Sequence, residues 1–308
     1  MDIVQLRQSL KTVITVPITP FDASGELDLP ACRRLIGRLI EGGLRVIALN
    51  GNTSEFYSLT VEECRVLVET AVEAAAGRAA IIAGIGYSAR TAAAMAQAAR
   101  QAGADGVMVH QLVHPFRSAE GWVAYHRAIA EAVPELGLVP YIRDSQVSAP
   151  MLNALLEACP NLAGIKYAVP DPQLFASLVT QVGGQRIAWV CGLAEGWAPF
   201  FWAGGAVGFT SGLVNVDSRL PLAMLGALQA GDYPAALAIW AQVKPFEELR
   251  ARRQSANNVS VIKEALRQLG LCTPVVRPPI SELPEAERAE VSAIMAALAI
   301  GQPDRRPE

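Results

Sequence analysis

Leu162-Ala163-Gly164-Ile165-Lys166-Tyr167-Ala168 is an apolar run interrupted by a single ammonium-bearing side chain. Such a run, without polar alternation, has the pattern of a strand buried on both faces, as parallel strands are. The chain holds only four lysines (Lys11, Lys166, Lys244, Lys263) against 22 arginines, so positive charge is nearly always supplied by guanidinium. A lysine at a strand end can snorkel to solvent or pair with a carboxylate. Alternatively, burial disfavours its charged form, and a neutral amine can condense with a ketone, which arginine cannot do.

Working outward, the chain alternates strand-like and helix-like segments. Eight strands are expected, at 13–16, 46–49, 81–83, 106–109, 138–142, 163–166, 188–191 and 206–209. Helical patterns lie between them, at 61–75, 89–101, 119–132, 150–158 and 172–182. Glycines in Glu41-Gly42-Gly43, Ala102-Gly103-Ala104 and Ala203-Gly204-Gly205 cap helices just before the next strand. Alternating β and α units imply a parallel sheet, and eight of them within about 220 residues imply a closed (β/α)₈ TIM barrel. A doubly wound open sheet is the structural alternative, but no G-x-G-x-x-G follows an early strand. After residue 218 helices follow without strands, at 219–230, 233–249 and 259–269. The expected organisation is a barrel over 1–230, a C-terminal helical extension of the same domain over 231–300, and a frayed tail over 301–308.

Composition narrows the function classes. Hydrophobic residues make up 52 % and charged residues 18 %, with a net charge of −3, so a large core is affordable and disorder is not expected. No basic run is present, which argues against nucleic-acid and anionic-membrane partners. Five scattered cysteines (Cys32, Cys64, Cys159, Cys191, Cys272), none in a CxxC pair, fit a reducing cytoplasm. The first 12 residues carry Asp2, Arg7 and Lys11 and lack a signal-like apolar core. Residues 196–216 are uncharged and long enough to span a bilayer, but five glycines and Pro199 indicate a short helix, a strand and a loop instead. No H-E-x-x-H or Cys/His cluster suggests a metal.

In a barrel, functional groups sit at the C-terminal strand ends. Four segments fall there. Asn50-Gly51-Asn52-Thr53-Ser54-Glu55-Phe56 offers hydroxyls and backbone N–H groups suited to a carboxylate, or is simply a turn before the Thr60–Glu63 capping box. In 138–144, strand alternation puts Val139, Tyr141 and Arg143 on one face; if that face is luminal, a phenol can move protons and a guanidinium can hold a carboxylate. The bland alternative is a core tyrosine with a surface Arg143–Asp144 pair. Gly164 shares a face with Lys166 and leaves room below the amine. Finally, Gly192 after strand seven and Ser211 after strand eight lie among glycines that permit close approach of a ligand.

Together, Gly51-Asn52-Thr53-Ser54-Glu55, Tyr141, Gly164-Ile165-Lys166 and the opening Pro17-Ile18-Thr19-Pro20-Phe21 resemble the dihydrodipicolinate synthase / N-acetylneuraminate lyase family over about residues 12–300. In that family the corresponding marks are a Gly-Thr-Thr-Gly-Glu loop, a strand-five tyrosine and a strand-six Gly-x-Lys. The resemblance implies a class I mechanism: Lys166 as Schiff-base nucleophile toward pyruvate or another 2-oxo acid, Tyr141 as acid/base, and no metal or organic cofactor. It also implies that Thr53, with the loop amides, holds the carboxylate, and that the protein is a homo-oligomer, dimer or tetramer; Asn52, Ser54, Arg143, Gly192 and Ser211 at the strand ends are the further candidate substrate-binding residues.

Three departures bear on the substrate. Asn52 replaces the loop's first threonine. The region after strand four reads Gln111-Leu112-Val113-His114-Pro115, without the family's tyrosine, so His114 is the candidate replacement in a proton relay. Gln146 stands where dihydrodipicolinate synthase has an arginine, whereas Tyr141-x-Arg143-Asp144 and Arg277-Pro278-Pro279-Ile280 resemble 5-dehydro-4-deoxyglucarate dehydratase. The expected activity is therefore a lyase, aldolase or dehydratase, acting on a sugar-derived 2-oxo acid. The alternatives are dihydrodipicolinate synthase itself and a catalytically idle barrel that binds a keto acid in a regulatory role. Of the remaining residues, His126 is expected to pack, His110 to end strand four near the lumen, the Trp197–Trp202 aromatics to fill core, and Lys263 to be solvated.

Overall fold

A computed structural model of the chain describes residues 1–301; the expected frayed tail lies, apart from Gly301, outside the described residues. Eight parallel strands close into a barrel in chain order: β1 (Val13–Thr15), β2 (Val46–Leu49), β3 (Ala80–Ile85), β4 (Gly106–Val109), β5 (Gly137–Ile142), β6 (Gly164–Tyr167), β7 (Ala188–Cys191) and β8 (Gly208–Ser211). β8 returns to β1 in the register Val13↔Phe209, Ile14↔Thr210, Thr15↔Ser211, which seals the sheet. This is the TIM barrel expected from the alternation, and the open sheet is excluded. The β8 boundary is corrected: Thr210 and Ser211 are strand, because pairing with β1 continues through Ser211.

The helices are α1 (Ile3–Ser9), α2 (Leu29–Glu41), α3 (Val61–Ala75), α4 (Ala89–Ala102), α5 (Ala119–Ala132), α6 (Ala149–Ala158), α7 (Pro172–Val182), α8 (Ala198–Ala203), α9 (Arg219–Gln229), α10 (Tyr233–Ser255), α11 (Asn258–Gln268) and α12 (Glu285–Ala297). Their starts follow from capping chemistry. Asp28, Thr60, Ser88 and Asp171 each accept a hydrogen bond from a first-turn amide, and Thr60 with Glu63 forms a capping box. α1 and α12 were not anticipated; α2 ends at the expected Gly42 cap, and Asp28 followed by Pro30 carries its start signal. α10 is longer than expected and breaks at Arg252–Gln254, where the backbone leaves helical geometry. The uncharged stretch 196–216 resolves into α8, β8 and a short 3₁₀ turn, and no described helix is long and apolar enough to cross a membrane.

Two apolar layers make the core. The larger lies between strands and helices, and the smaller fills the lumen with Ile14, Ile82, Met108 and Val139. α1 closes the N-terminal mouth by sending Leu6 and Leu10, both fully buried, into that lumen. The strand-entry glycines make this possible. A Cβ on Gly137 would stand 2.2 Å from Leu6 Cδ2, one on Gly106 2.7 Å from the same atom, and one on Gly164 2.9 Å from Leu10 Cδ1. The space expected below the Lys166 amine is therefore filled by Leu10. With the bottom plugged, only the C-terminal mouth is left to hold a ligand, and a cavity of about 900 Å³ opens there.

Candidate active site

Lys166 and Tyr141 are partners in the β5–β6 register and both point into the lumen. Lys166 Nζ stands 4.1 Å from the centre of the Tyr141 ring and 3.7 Å from Met108 Sδ, with only 5 % of the residue exposed. Among the described residues no carboxylate pairs with it. Burial, reinforced by the nearby Arg143 guanidinium, pulls its pKa from the ordinary 10.5 down to about 7. A large fraction of the amine is thus neutral near pH 7, and the solvated or ion-paired lysine is not what forms. Gly192 lets the side chain pass: a Cβ there would stand 3.0 Å from Lys166 Cγ. Burial raises the pKa of Tyr141, whose hydroxyl accepts a 3.4 Å hydrogen bond from Asn52 Nδ2.

The β2 loop forms a tight turn. Ser54 N and Phe56 N both donate to Gly51 O, and Glu55 N donates to Asn52 O. Among the described residues the amides of Asn52 and Thr53 donate to nothing, and both residues line the cavity. Two successive free N–H groups beside a threonine hydroxyl are the donor set from which anion-binding concavities are built. Asn50 and Glu55 adopt positive φ (54° and 61°) to make this turn. Ser54 is corrected: its buried hydroxyl donates to Pro17 O (2.6 Å) and accepts from Gly51 N (3.1 Å), so it holds the loop and does not line the cavity.

Arg143 lines the cavity and has no carboxylate partner among the described residues. The alternative Arg143–Asp144 pair does not form, because Asp144 is taken by Arg117 (Nε 3.0 Å). Ser211 and Thr210 line the opposite wall with Gly192. His114, the candidate relay residue, lies away from Lys166 within this chain. It sits on the exposed loop after β4, its Nδ1 facing the Phe116 backbone, outside the cavity of its own chain. His110 is buried: Nε2 meets Asn50 O at 2.7 Å, the ring stacks on Phe56 at 4.0 Å, and burial depresses its pKa to about 3. His126 is likewise buried and neutral, bonded to Trp122 O, as its helical spacing suggested.

The sequence missed three features. Phe200 is exposed and lines the outer cavity with Trp240 and Lys244 of α10, and Trp197, which packs against the core, also reaches that wall, whereas Phe201 fills core as expected. Glu195 is completely buried behind the wall, and burial raises its carboxyl well above the ordinary range, with Glu247 adding to the shift. It borders an uncharged 21-residue run, and that was its only signal. Lys263 is not solvated but fully buried, ion-paired with Glu55 at 2.6 Å. Its position four residues after Val259 and three before Leu266, on the apolar face of α11, was the legible clue.

The closed parallel barrel is plugged below and holds, at its C-terminal mouth, a buried lysine with no carboxylate partner among the described residues, a phenol and two free loop amides. Residues 9–298 match the sequence profile of the Dihydrodipicolinate synthetase family, and the chain belongs to that family. It is a lyase of that family. A probable 5-dehydro-4-deoxyglucarate dehydratase from Ralstonia nicotianae is 32 % identical over 291 residues, covering 93 % of each chain. Among solved structures, a dihydrodipicolinate synthase from Oceanobacillus iheyensis superposes with a TM-score of 0.93 at 39 % identity, covering 97 % of this chain and 99 % of the other. One from Bacillus clausii does so at 0.92 and 41 %, covering 96 % and 99 %.

Proposed function

We propose that the protein forms a Schiff base between Lys166 and a sugar-derived 2-oxo acid and then eliminates water or cleaves a carbon–carbon bond. The observation that carries this is the amine itself. A lysine buried with no carboxylate partner among the described residues, its pKa near 7, is costly as structure and useful as a nucleophile.

The free Asn52 and Thr53 amides would hold the substrate carboxylate. Neutral Nζ adds to the C2 carbonyl, and loss of water from the carbinolamine gives an iminium. The iminium accepts the electron pair released when a proton leaves C3, giving an enamine. In dehydration, the enamine pair then expels the C4 hydroxyl, which leaves as water after protonation. In cleavage, the C3–C4 bond breaks instead, its pair forms the enamine, and the C4 hydroxyl proton passes to a base. Tyr141, whose ring lies 4.1 Å from Nζ and whose hydroxyl accepts from Asn52, would carry these protons. Arg143 and Ser211 would meet the substrate's distal polar groups. In the cleavage branch the enamine then takes a proton at C3 to give an iminium, and in both branches hydrolysis of the product iminium frees Lys166, so the cycle closes without a further group.

Dehydration of a sugar diacid is favoured by the unpaired Arg143 and by the dehydratase-named relatives. Condensation of pyruvate with an aldehyde is the second reading, supported by the higher identity to the two synthase-named structures. Gln146, where the synthase has an arginine, counts against it. The deciding experiment is borohydride reduction in the presence of pyruvate and of a 5-carbon or 6-carbon 2-oxo sugar acid, with the adduct mapped by mass spectrometry. Reduced adduct at Lys166 is expected, with turnover of the sugar acid to a dehydrated product. No adduct at Lys166 with any 2-oxo acid, in folded protein, overturns the assignment.

A further inference from the structure

We infer that Lys263 is a positioning residue for substrate carboxylate binding, acting through Glu55 on the β2 loop; this rests on the Schiff-base assignment above. The two side chains form an ion pair at 2.6 Å and are 0 % and 1 % exposed, the most deeply buried pair of charges among the described residues. The approach to Glu55 Oε1 lies off the hydrogen-bond direction, so the contact is chiefly Coulombic. Nζ donates instead to Val275 O at 2.7 Å and sits 4.1 Å over the Phe21 ring. Glu55 Oε2 accepts from the amide of Arg277 at 2.9 Å, and the Arg277 guanidinium forks onto Glu63. One carboxylate thus ties the loop to α11 and to the segment before α12, more than 200 residues away in sequence.

Its location gives the pair its role. Glu55 is two residues after Thr53 and holds a left-handed backbone conformation that is unfavourable for a residue with a Cβ. That conformation completes the turn that leaves the Asn52 and Thr53 amides free. Ser54 is stapled to Pro17 on the N-terminal side, and Thr19 Oγ1 donates to Ser54 O at 2.7 Å. Glu55 is the only anchor to the C-terminal helices among the side chains of Gly51–Glu55. A buried ion pair rarely adds stability over apolar residues of the same size, but it fixes geometry, because either charge without its partner is strongly disfavoured. Without Lys263 the Glu55 carboxylate is a buried charge without its partner, and its relaxation toward water would carry the turn with it. Misplacing a binding group by about 1 Å can cost up to about 100-fold in rate.

The test is the pyruvate dependence of borohydride trapping at Lys166 in the full-length protein. Lys263→Met with Glu55→Gln removes both charges and so avoids a lone buried carboxylate. Lys263→Arg keeps the cation. Folding is checked by circular dichroism and urea titration. The double variant should need about 10-fold more pyruvate for half-maximal trapping, with the maximal extent at saturation preserved, and Lys263→Arg should lie between it and wild type. A folded double variant with the wild-type half-saturation overturns the inference even if its urea midpoint falls, since that is what a purely structural pair would do. If Lys263→Arg is the only variant to fold, an unchanged half-saturation together with an unchanged kcat/KM overturns it equally. Failure of the wild type to trap at all would instead remove the Schiff-base assignment, so the two failures are distinguishable.

Discussion

Replacing Lys166 with methionine should stabilise the protein, by an amount that depends on pH in a defined way. The ordinary lysine pKa of 10.5 falls to about 7 in the fold, mainly through burial and secondarily through Arg143. At about 1.36 kcal/mol per pKa unit this corresponds to roughly 4–5 kcal/mol of stability withheld at neutral pH. Between the two pKa values the unfolded chain binds a proton that the folded chain does not, so wild-type stability rises with pH in that window. Methionine has similar length, carries no charge and would lie beside Met108. Urea unfolding of wild type and Lys166→Met at several pH values between 6 and 10 reads the effect. The variant should be more stable by several kcal/mol at pH 6–7, and its advantage should shrink by about 1.4 kcal/mol per pH unit above pH 7. Titrations shared by both proteins cancel in the difference. A difference that stays flat from pH 7 to 10 would mean that Lys166 keeps its ordinary pKa, and the chemical case for a neutral nucleophile would fall.

Tyr141→Phe should keep Lys166 competent for borohydride trapping while turnover falls by about 100-fold or more, since only the proton-carrying hydroxyl is lost; equal turnover would exclude it as the acid/base. Glu195→Gln should gain stability relative to wild type as pH rises from 5 to 7. The raised Glu195 carboxyl keeps its proton in the fold above the ordinary value of 4.5, so the wild type loses stability through that window and the amide does not; a pH-independent difference in urea midpoint would contradict this. Leu6→Ala should cost roughly 2–5 kcal/mol in urea unfolding by emptying the barrel plug; a cost below about 1 kcal/mol would show that the lumen collapses onto the gap.

The luminal face of β5 illustrates how far local pattern reaches. Strand alternation placed Val139, Tyr141 and Arg143 together, and the fold puts all three inward or at the rim because period-two geometry leaves no other choice once register is set. Alternation could not say that Asp144 would be claimed by Arg117, a residue 27 positions earlier, and so leave the Arg143 guanidinium without a carboxylate partner among the described residues. Ser54 failed for the same kind of reason: its neighbours in sequence suggested a ligand, while its neighbour in space is the Pro17 carbonyl. Lys263 failed because charge was allowed to outweigh the apolar spacing of α11, and its partner Glu55 is 208 residues away.

By itself the sequence determined the repeating βα units, hence the barrel, and it marked Lys166 and Tyr141, because strand and helix periodicity and the chemistry of a lone lysine are local properties. Tertiary structure alone decided which charges stay unpaired, which hydroxyls are already committed and which cations are buried, because each depends on what the barrel's closure brings alongside. The depressed pKa of Lys166 spans both levels: the side chain is written in the chain, but its desolvation exists only once eight strands have closed around it and Leu6 and Leu10 have sealed the end opposite the cavity.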